Sequence, residues 1–130
     1  MRRTTLIVAA AALAATSASA VGLGPLRLDG VIDGPREGFA LDLFNPYHET
    51  VAYLVESRGL GDETPQPRVT MLPAEAELGP ERRRRVLVIV DGLEVGETYR
   101  FRVCARRRDL PQGITINARV CSKLSARRIA

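Results

Sequence analysis

The stretch RFRVCARRRDLPQGITINARVCSK, residues 100–123, holds both cysteines of the chain, six of its arginines and its only lysine. A Pro-Gln-Gly turn separates two alternating segments, 98–109 and 114–124, and this pattern predicts an antiparallel hairpin. In that hairpin Cys104 lies opposite Cys121, close enough for a cross-strand disulfide. The stretch therefore predicts that the last two strands pair and are stapled together.

The same pairing divides the hairpin into two faces. The face expected to point into the core carries Tyr99, Phe101, Val103, Ala105, Val120, Ser122 and Leu124. The opposite face carries the cystine and a self-repelling set of cations: Arg100, Arg102, Arg106, Arg108, Arg119 and Lys123. The disulfide is expected to help hold this face together. An arginine-rich strand face is also commonly just solvated, and both interpretations stay open.

Period-two alternation continues upstream of the hairpin. The predicted strands cover 26–32, 39–44, 51–56, 68–72, 85–90, 98–105 and 114–124. Turn signals such as Asn45-Pro46 and Asp91-Gly92 separate them about every ten residues. The segment 68–72 follows two prolines and is expected at a sheet edge, because proline cannot donate to a ladder. Seven short strands and no credible helix predict an all-β, immunoglobulin-like antiparallel β-sandwich.

Residues 1–20 have the pattern of a cleaved signal peptide. Arg2-Arg3 is a short basic start, the apolar run from Leu6 to Ala15 is too short to span a bilayer, and Ala18-Ser19-Ala20 suits a signal peptidase. Residues 21–130 are then a single domain. Because no later apolar stretch approaches membrane-spanning length, the mature protein is expected to have no membrane span and to be periplasmic or secreted.

The charge of the chain constrains its partners. The formal net charge is +4, and removal of Arg2 and Arg3 reduces it to about +2, so the basic character comes from local clusters. An exported protein seldom meets nucleic acid, and no nucleic-acid partner is expected. Acidic proteins, anionic envelope polymers and plain solubility remain the alternatives.

No motif in the sequence argues for an enzyme. The cysteine spacing is neither that of a metal site nor that of a Cys-x-x-Cys redox pair, and His48 stands alone in a loop. The chain lacks a nucleophile elbow, a Gly-rich phosphate loop and a His-Glu-x-x-His arrangement. We therefore expect no catalytic residue, no metal and no cofactor.

The last predicted strand supports two interpretations. Ile114, Ile116, Ala118 and Val120 alternate with polar residues, which is typical of a half-buried strand. The same alternation suits a strand offered to another polypeptide, where backbone hydrogen bonds give affinity and alternate apolar side chains fill pockets. Alternation by itself favours the half-buried strand.

Three runs resemble the N-terminal domain of periplasmic pilus-assembly chaperones, the PapD-like group. They are GFALDLFNPYHETVAYLVES (38–57), PRVTMLPAEAELGPERRRRVLVIV (67–90) and GETYRFRV (96–103). The shared order is a strand ending in an Asn turn, a Val-x-x-x-Pro segment, a Leu-x-Pro turn, a Val-rich strand and an aromatic strand. The resemblance covers roughly residues 23–124.

This resemblance implies a function and a set of residues. Such chaperones anchor the C-terminal carboxylate of a pilus subunit with an arginine of the first strand and a lysine of the last, here Arg27 and Lys123. Their last strand lends apolar side chains to the unfinished subunit, here Ile114, Ile116, Ala118 and Val120. Some members have a cystine joining the last two strands, which Cys104 and Cys121 resemble. The implied partner is a secreted pilus or fibre subunit.

One departure from the group concerns domain number. The chaperones have two domains and bind the subunit between them, whereas this sequence ends at Ala130, where the first domain should finish. Three expectations follow: a one-domain relative that works alone, a domain that works with a second chaperone domain supplied by another chain, or a relative that has kept the fold without the activity.

A second, shorter resemblance leads to another function. The run DGLEVGETYRFRVCA, residues 91–105, is similar to the signature of fibronectin type III modules, in which Tyr99 would pin a corner of the sandwich. The absence of tryptophan and the Asn-Pro turn fit that family less well. This alternative implies an exported adhesion or protein-interaction module without chaperone activity.

Overall fold

The alternating segments form two packed β-sheets in the computed structural model, which describes residues 22–113 and 117–130. Within these residues the strands are β1 (Gly22–Gly24), β2 (Arg27–Ile32), β3 (Glu37–Phe44), β4 (Val51–Gly59), β5 (Val69–Leu72), β6 (Glu75–Leu78), β7 (Arg83–Val90), β8 (Thr98–Arg107) and β9 (Arg119–Arg128). One sheet has the order β1-β3-β7-β5 and the other β2-β9-β8-β4-β6. The predicted all-β immunoglobulin-like sandwich is confirmed.

The first residues of the domain contribute one strand to each sheet. β1 pairs antiparallel with β3, and after Pro25 the chain crosses to the other sheet, where β2 pairs parallel with β9. This second pairing begins at Arg27 opposite Lys123 and continues to Ile32 opposite Arg128. β9 therefore has β8 on one side along its whole length, but β2 on the other side only from Lys123 onward.

Alternation places the apolar residues between the sheets. Along β3 the side chains of Phe39, Leu41 and Leu43 are buried, while Ala40 and Asp42 face solvent. Each buried Leu, Val or Phe contributes roughly 1.5–3 kcal/mol by leaving water. The fully or almost fully buried side chains of the core include Leu41, Leu43, Tyr53, Val55, Val86, Val88, Val90, Leu93, Phe101, Val103 and Leu124.

A buried asparagine ties the end of β3 to its neighbours. The Asn45 side-chain amide donates to the carbonyl oxygens of Glu49 (2.8 Å), Leu78 (3.0 Å) and Gly79 (2.9 Å). Its carbonyl oxygen accepts from the Tyr53 hydroxyl at 2.8 Å. Burial is the largest of the effects that raise the pKa of Tyr53 to about 12. Asn45, predicted only as a turn signal, is therefore a buried side chain that joins the end of β3 to β4 and β6 by hydrogen bonds.

The structure corrects several predicted boundaries. Two short strands, β1 and β6, were not predicted, and Pro73 separates β5 from β6. The last strand was predicted from residue 114, but β9 begins at Arg119; residues 114–116 lie outside the described residues, and 117–118 are not strand. The predicted hairpin pairing is confirmed, with Phe101 opposite Leu124 on the core face.

Candidate functional site

The predicted disulfide is present on the outer face of the five-stranded sheet. Cys104 and Cys121 are directly opposed on β8 and β9, with an S–S distance of 2.07 Å and a Cα–Cα distance of 4.0 Å. A short Cα separation is typical of a non-hydrogen-bonded antiparallel pair, in which the side chains are closest. The cystine therefore fixes the hairpin that carries the candidate residues.

A row of four cations crosses this outer face. Arg27 of β2 is the partner of Lys123 of β9, Lys123 is the partner of Arg102 of β8, and Arg102 is the partner of Arg58 of β4. Directly opposed residues project to the same side of a sheet, and neighbouring strands lie about 4.8 Å apart. We call this surface the basic face; its cations are Arg27, Arg58, Arg100, Arg102, Arg106, Arg119 and Lys123.

Two glutamates neutralise one side of the basic face. Glu63, in the loop after β4, contacts Arg119 at 2.6 Å, Arg102 at 3.1 Å and Arg58 at 3.7 Å. Hydrogen bonds from Arg119 and then Arg102 lower the pKa of the Glu63 carboxyl to about 2. Glu56 contacts Arg58 and Arg106, each at 3.2 Å. The sequence predicted a self-repelling face, but on this side the two glutamates lie between the arginines and compensate their charges.

The remaining cations surround a shallow pocket of about 270 Å³. Its lining residues are Arg27, Asp29, Leu60, Arg100, Lys123, Leu124 and Ser125. Arg27 makes a long contact of 3.8 Å with Asp29, and both side chains are largely exposed. Lys123 and Arg100 have no ion-pair partner among residues 22–113 and 117–130. The two anchor residues implied by the resemblance thus lie side by side in one pocket.

The four candidate donor residues lie at the start of the last strand. Ile114 and Ile116 fall outside the described residues. Ala118 is exposed and precedes β9, whereas Val120 lies on β9 and is partly buried against the domain's own core. Arg119, Val120 and Cys121 form an edge, because their side of β9 away from β8 has no strand partner in the described part of the chain. We call Arg119–Cys121 the open edge.

Tyr99 belongs to a cluster that sequence reasoning missed. Its hydroxyl donates to the side-chain oxygen of Gln66, and the Arg68 guanidinium lies 4.5 Å from its ring centroid. Arg68 also forms two hydrogen bonds with Glu97, of 2.9 Å and 2.7 Å. These hydrogen bonds are the largest of the effects that lower the pKa of the Glu97 carboxyl to about 2. The fibronectin type III resemblance named Tyr99 as a corner residue, but alternation does not pair loops, so no sequence signal pointed to its partners Gln66 and Arg68 or to Glu97.

The described residues give little support for other kinds of site. Residues 22–113 and 117–130 contain no group of three His, Cys, Asp or Glu side chains placed to hold a metal ion. Over the same ranges there is no helix with the length and apolarity needed to cross a membrane. His48 is highly exposed, and its Nδ1 lies 3.5 Å from a carboxylate oxygen of Glu81.

Comparison by sequence finds no relative: no protein-family model matches the chain, and no curated protein matches it significantly. Comparison by structure finds many. The Escherichia coli chaperone DraB is 17% identical with a TM-score of 0.66, over 84% of this chain and 55% of that one. The complex of the Salmonella enterica SafA pilin with the SafB chaperone gives 20% identity and a TM-score of 0.68, over 89% of this chain and 58% of that one.

A third similar structure is not a pilus chaperone. The PapD-like domain 7 of human CEP192 is 15% identical with a TM-score of 0.65, and the match covers 84% of both chains. This chain spans a little over half the length of the two chaperone chains and most of the length of the single human domain. At these identities the likeness is one of fold. The chain therefore has the PapD-like fold, matching a part of the pilus chaperones of the size of their N-terminal domain.

Proposed function

We propose that this protein is a non-catalytic, periplasmic chaperone-like protein that binds secreted pilus or fibre subunits. Arg27 and Lys123 anchor the C-terminal carboxylate of the subunit, and the segment from Ile114 to Val120 is lent to its unfinished sandwich. The observation that carries the proposal is the direct pairing of Arg27 with Lys123 on adjacent parallel strands, at a pocket where Lys123 has no ion-pair partner among the described residues.

The chemistry of the pocket suits a carboxylate. Two cations on adjacent strands can each donate a charge-assisted hydrogen bond, which is roughly twice as strong as a neutral one. The resemblance named the two residues separately, one near each end of the domain. Their pairing gives that assignment a geometric basis, because a single carboxylate can reach both.

The open edge suits the second half of the proposal. Backbone groups at an unpaired edge can accept an added strand, whose affinity comes from main-chain hydrogen bonds. The open edge runs from Arg119 to Cys121 and ends next to Lys123. A subunit strand with its C-terminus at Lys123 would therefore run parallel to β9, with its preceding residues beside Arg119 and the segment before it.

Three further features agree with a periplasmic, chaperone-like protein. The cystine suits an oxidising compartment. Residues 1–20 remain a predicted signal peptide, and residues 21–130 a predicted single domain. One of the similar structures is a chaperone–pilin complex and another is a pre-assembly complex of a chaperone, CsuC, with a tip adhesion subunit, CsuE. The domain acts by itself or beside a second chaperone domain supplied by another chain.

The test is capture of a partner from periplasmic extract by tagged protein. Wild type should retain a near-stoichiometric secreted protein, and Arg27→Ala and Lys123→Ala should each lose most of it. Arg127→Ala is the matched control, because Arg127 is an exposed arginine on the same strand outside the pocket. Adding a short Gly-Ser extension to the C-terminus of the captured partner should abolish binding. Capture that is unchanged in both pocket variants would favour the adhesion-module alternative.

A further inference from the structure

The cations of the basic face differ in whether they are neutralised. Arg58, Arg102, Arg106 and Arg119 each contact Glu56 or Glu63. The three pocket cations contact neither glutamate. On the outer face of this sheet, the positive charge that these glutamates leave uncompensated therefore lies around the pocket and at Arg127, farther along β9.

Arg100 is the third of these cations and belongs to a different strand from the other two. It lies on β8 opposite Ser125, which places it diagonally from Lys123 across the hairpin. Its side chain is exposed and lines the pocket together with Arg27 and Lys123. Three adjacent strands thus contribute one cation each to the same pocket.

The charge balance of the pocket exceeds what one carboxylate needs. Three cations face a single anion, Asp29, which leaves a net charge of +2. A peptide α-carboxylate would neutralise half of that excess at Arg27 and Lys123. The remaining positive charge is at Arg100, so a ligand with a second negative group fits the pocket better than one with a single carboxylate.

Spacing indicates where on the ligand the second group lies. Diagonal neighbours across an antiparallel pair are roughly 7–8 Å apart. A subunit strand parallel to β9 approaches Lys123 from the side of Cys121, whereas Arg100 is opposite Ser125, on the far side of Lys123. Arg100 therefore lies past the chain end, on the side that only the side chain of the last residue can reach. Leu60 lines the pocket and is 44% exposed, so it offers an apolar contact for the aliphatic part of such a residue.

We propose that Arg100 is a specificity residue: the pocket selects polypeptides whose C-terminal residue is Asp or Glu, so that a second carboxylate accompanies the α-carboxylate. This inference rests on the proposed function, since Arg27 and Lys123 hold the α-carboxylate. Arg100 pairs with the acidic side chain of the ligand and has no part in holding the chain end itself.

The experiment measures binding of four fluorescein-labelled nine-residue peptides to the oxidised protein at low salt. They share one sequence and differ only at the C-terminal end: Glu or Gln as the last residue, each with a free acid or an amide terminus. For wild type, the free acids should bind more tightly than the amides, and the Glu free acid roughly twofold to fivefold more tightly than the Gln free acid. Arg100→Gln should remove the Glu preference while the free acids keep their advantage over the amides. Arg127→Gln should leave both preferences unchanged.

The results separate this inference from the function on which it rests. If free acids outbind amides but Glu and Gln bind alike, or if the Glu preference survives Arg100→Gln, the role of Arg100 is wrong and the anchor stands. If amides bind as well as free acids, or no peptide binds at millimolar concentration, the anchor is wrong and the role of Arg100 falls with it. Urea unfolding of each variant checks that these exposed substitutions leave the fold intact.

Discussion

Asn45 shows how one side chain can tie together segments that are distant in sequence. Its amide donates to backbone carbonyls before β4 and at the end of β6, and its oxygen accepts from Tyr53. An amide can do both, because it offers two donors and one acceptor oxygen with two lone pairs. We predict that Asn45→Ala lowers the free energy of unfolding by roughly 2–4 kcal/mol, since several buried polar groups lose their partners together.

Urea unfolding of the oxidised protein measures this loss. Asn117→Ala is the control, because the Asn117 side chain is partly buried and donates to the Arg107 carbonyl at 3.0 Å. That variant should lose about 1 kcal/mol or less. Equal losses in the two variants would mean that Asn45 acts as an ordinary turn residue.

Glu63 makes stability depend on pH at the scale of one side chain. Its carboxyl has a pKa of about 2 in the folded protein, below the ordinary value of 4.5. A depressed carboxyl pKa stabilises the fold above the unfolded pKa, and this contribution is lost as pH falls through the folded pKa. We predict that Glu63→Gln lowers the urea midpoint at pH 7, and that the difference from wild type shrinks between about pH 5 and pH 2.

Glu77→Gln is the matched control for the Glu63 variant. Glu77 is exposed on β6, and no arginine contacts its carboxylate among the described residues. Its substitution should leave the urea midpoint unchanged over the same pH range. Added salt should also reduce the effect of Glu63→Gln, because the Glu63 side chain is 59% exposed and its ion pairs are screened. A difference from wild type that persists at pH 2 contradicts the electrostatic origin.

Sequence reasoning reached some of these residues and not others. It identified Arg27 and Lys123 through a resemblance, and the cysteines through hairpin pairing. It missed both glutamates on the basic face. Glu63 lies in a loop, which alternation does not place, and Glu56 reaches this face because β4 pairs with β8, a pairing that alternation along a single strand does not predict. Alternation also does not show what a turn residue contacts, so Asn45 was predicted as a turn signal and not as a buried hydrogen-bonding residue.

At the scale of elements, the hairpin of β8 and β9 carries the pocket and the open edge. Its disulfide links residues 17 positions apart. Closing a loop of about this length stabilises a fold by roughly 3 kcal/mol, chiefly by restricting the unfolded chain. We predict that Cys104→Ala with Cys121→Ala lowers the free energy of unfolding by roughly 2–4 kcal/mol, measured against oxidised wild type in urea.

Reduced wild-type protein is the control for the double variant. Both lack the crosslink, so their unfolding free energies should agree within about 1 kcal/mol. A double variant as stable as the oxidised wild type would show that the pairing of β8 with β9 holds the register without the crosslink. In that case the cystine would have no stabilising role in positioning the pocket.

The elements that sequence reasoning found are those long enough to alternate. β3, β4, β7 and β8 each have eight to ten residues, so their period is visible. β1 has three residues and β6 has four, which is too short for a period to be recognised. The parallel pairing of β2 with β9 joins the two ends of the domain, and no local pattern indicates it.

At the scale of the whole molecule, the sandwich is shared with proteins that have little sequence in common with it. DraB and the CEP192 domain have the same fold at 17% and 15% identity. An alternating apolar pattern of the right strand lengths can be met by many sequences, so the fold class was predictable from this sequence by itself. The outer face is not constrained in this way, and the function therefore depends on its particular charges and on its open edge.

The open edge leads to a prediction about the entire complex. The backbone N–H of Lys123 points away from β8, since it donates to the Leu26 carbonyl at 2.8 Å. Residues two apart on a strand direct their N–H groups to the same side, so the N–H groups of Arg119 and Cys121 face the open edge. An added subunit strand would accept hydrogen bonds from these two groups.

Arg119→Pro removes one of those donors without removing a hydrogen bond between β8 and β9. Arg119→Ala is its matched control, because both variants lose the ion pair with Glu63 but only the proline variant loses the N–H. We predict that Arg119→Ala captures the periplasmic partner about as well as wild type and that Arg119→Pro loses at least tenfold in affinity, with similar urea midpoints for the two variants. Equal capture by both would mean that the partner binds this domain without adding a strand at the open edge. The carboxylate pocket would then have to account for binding without a paired strand.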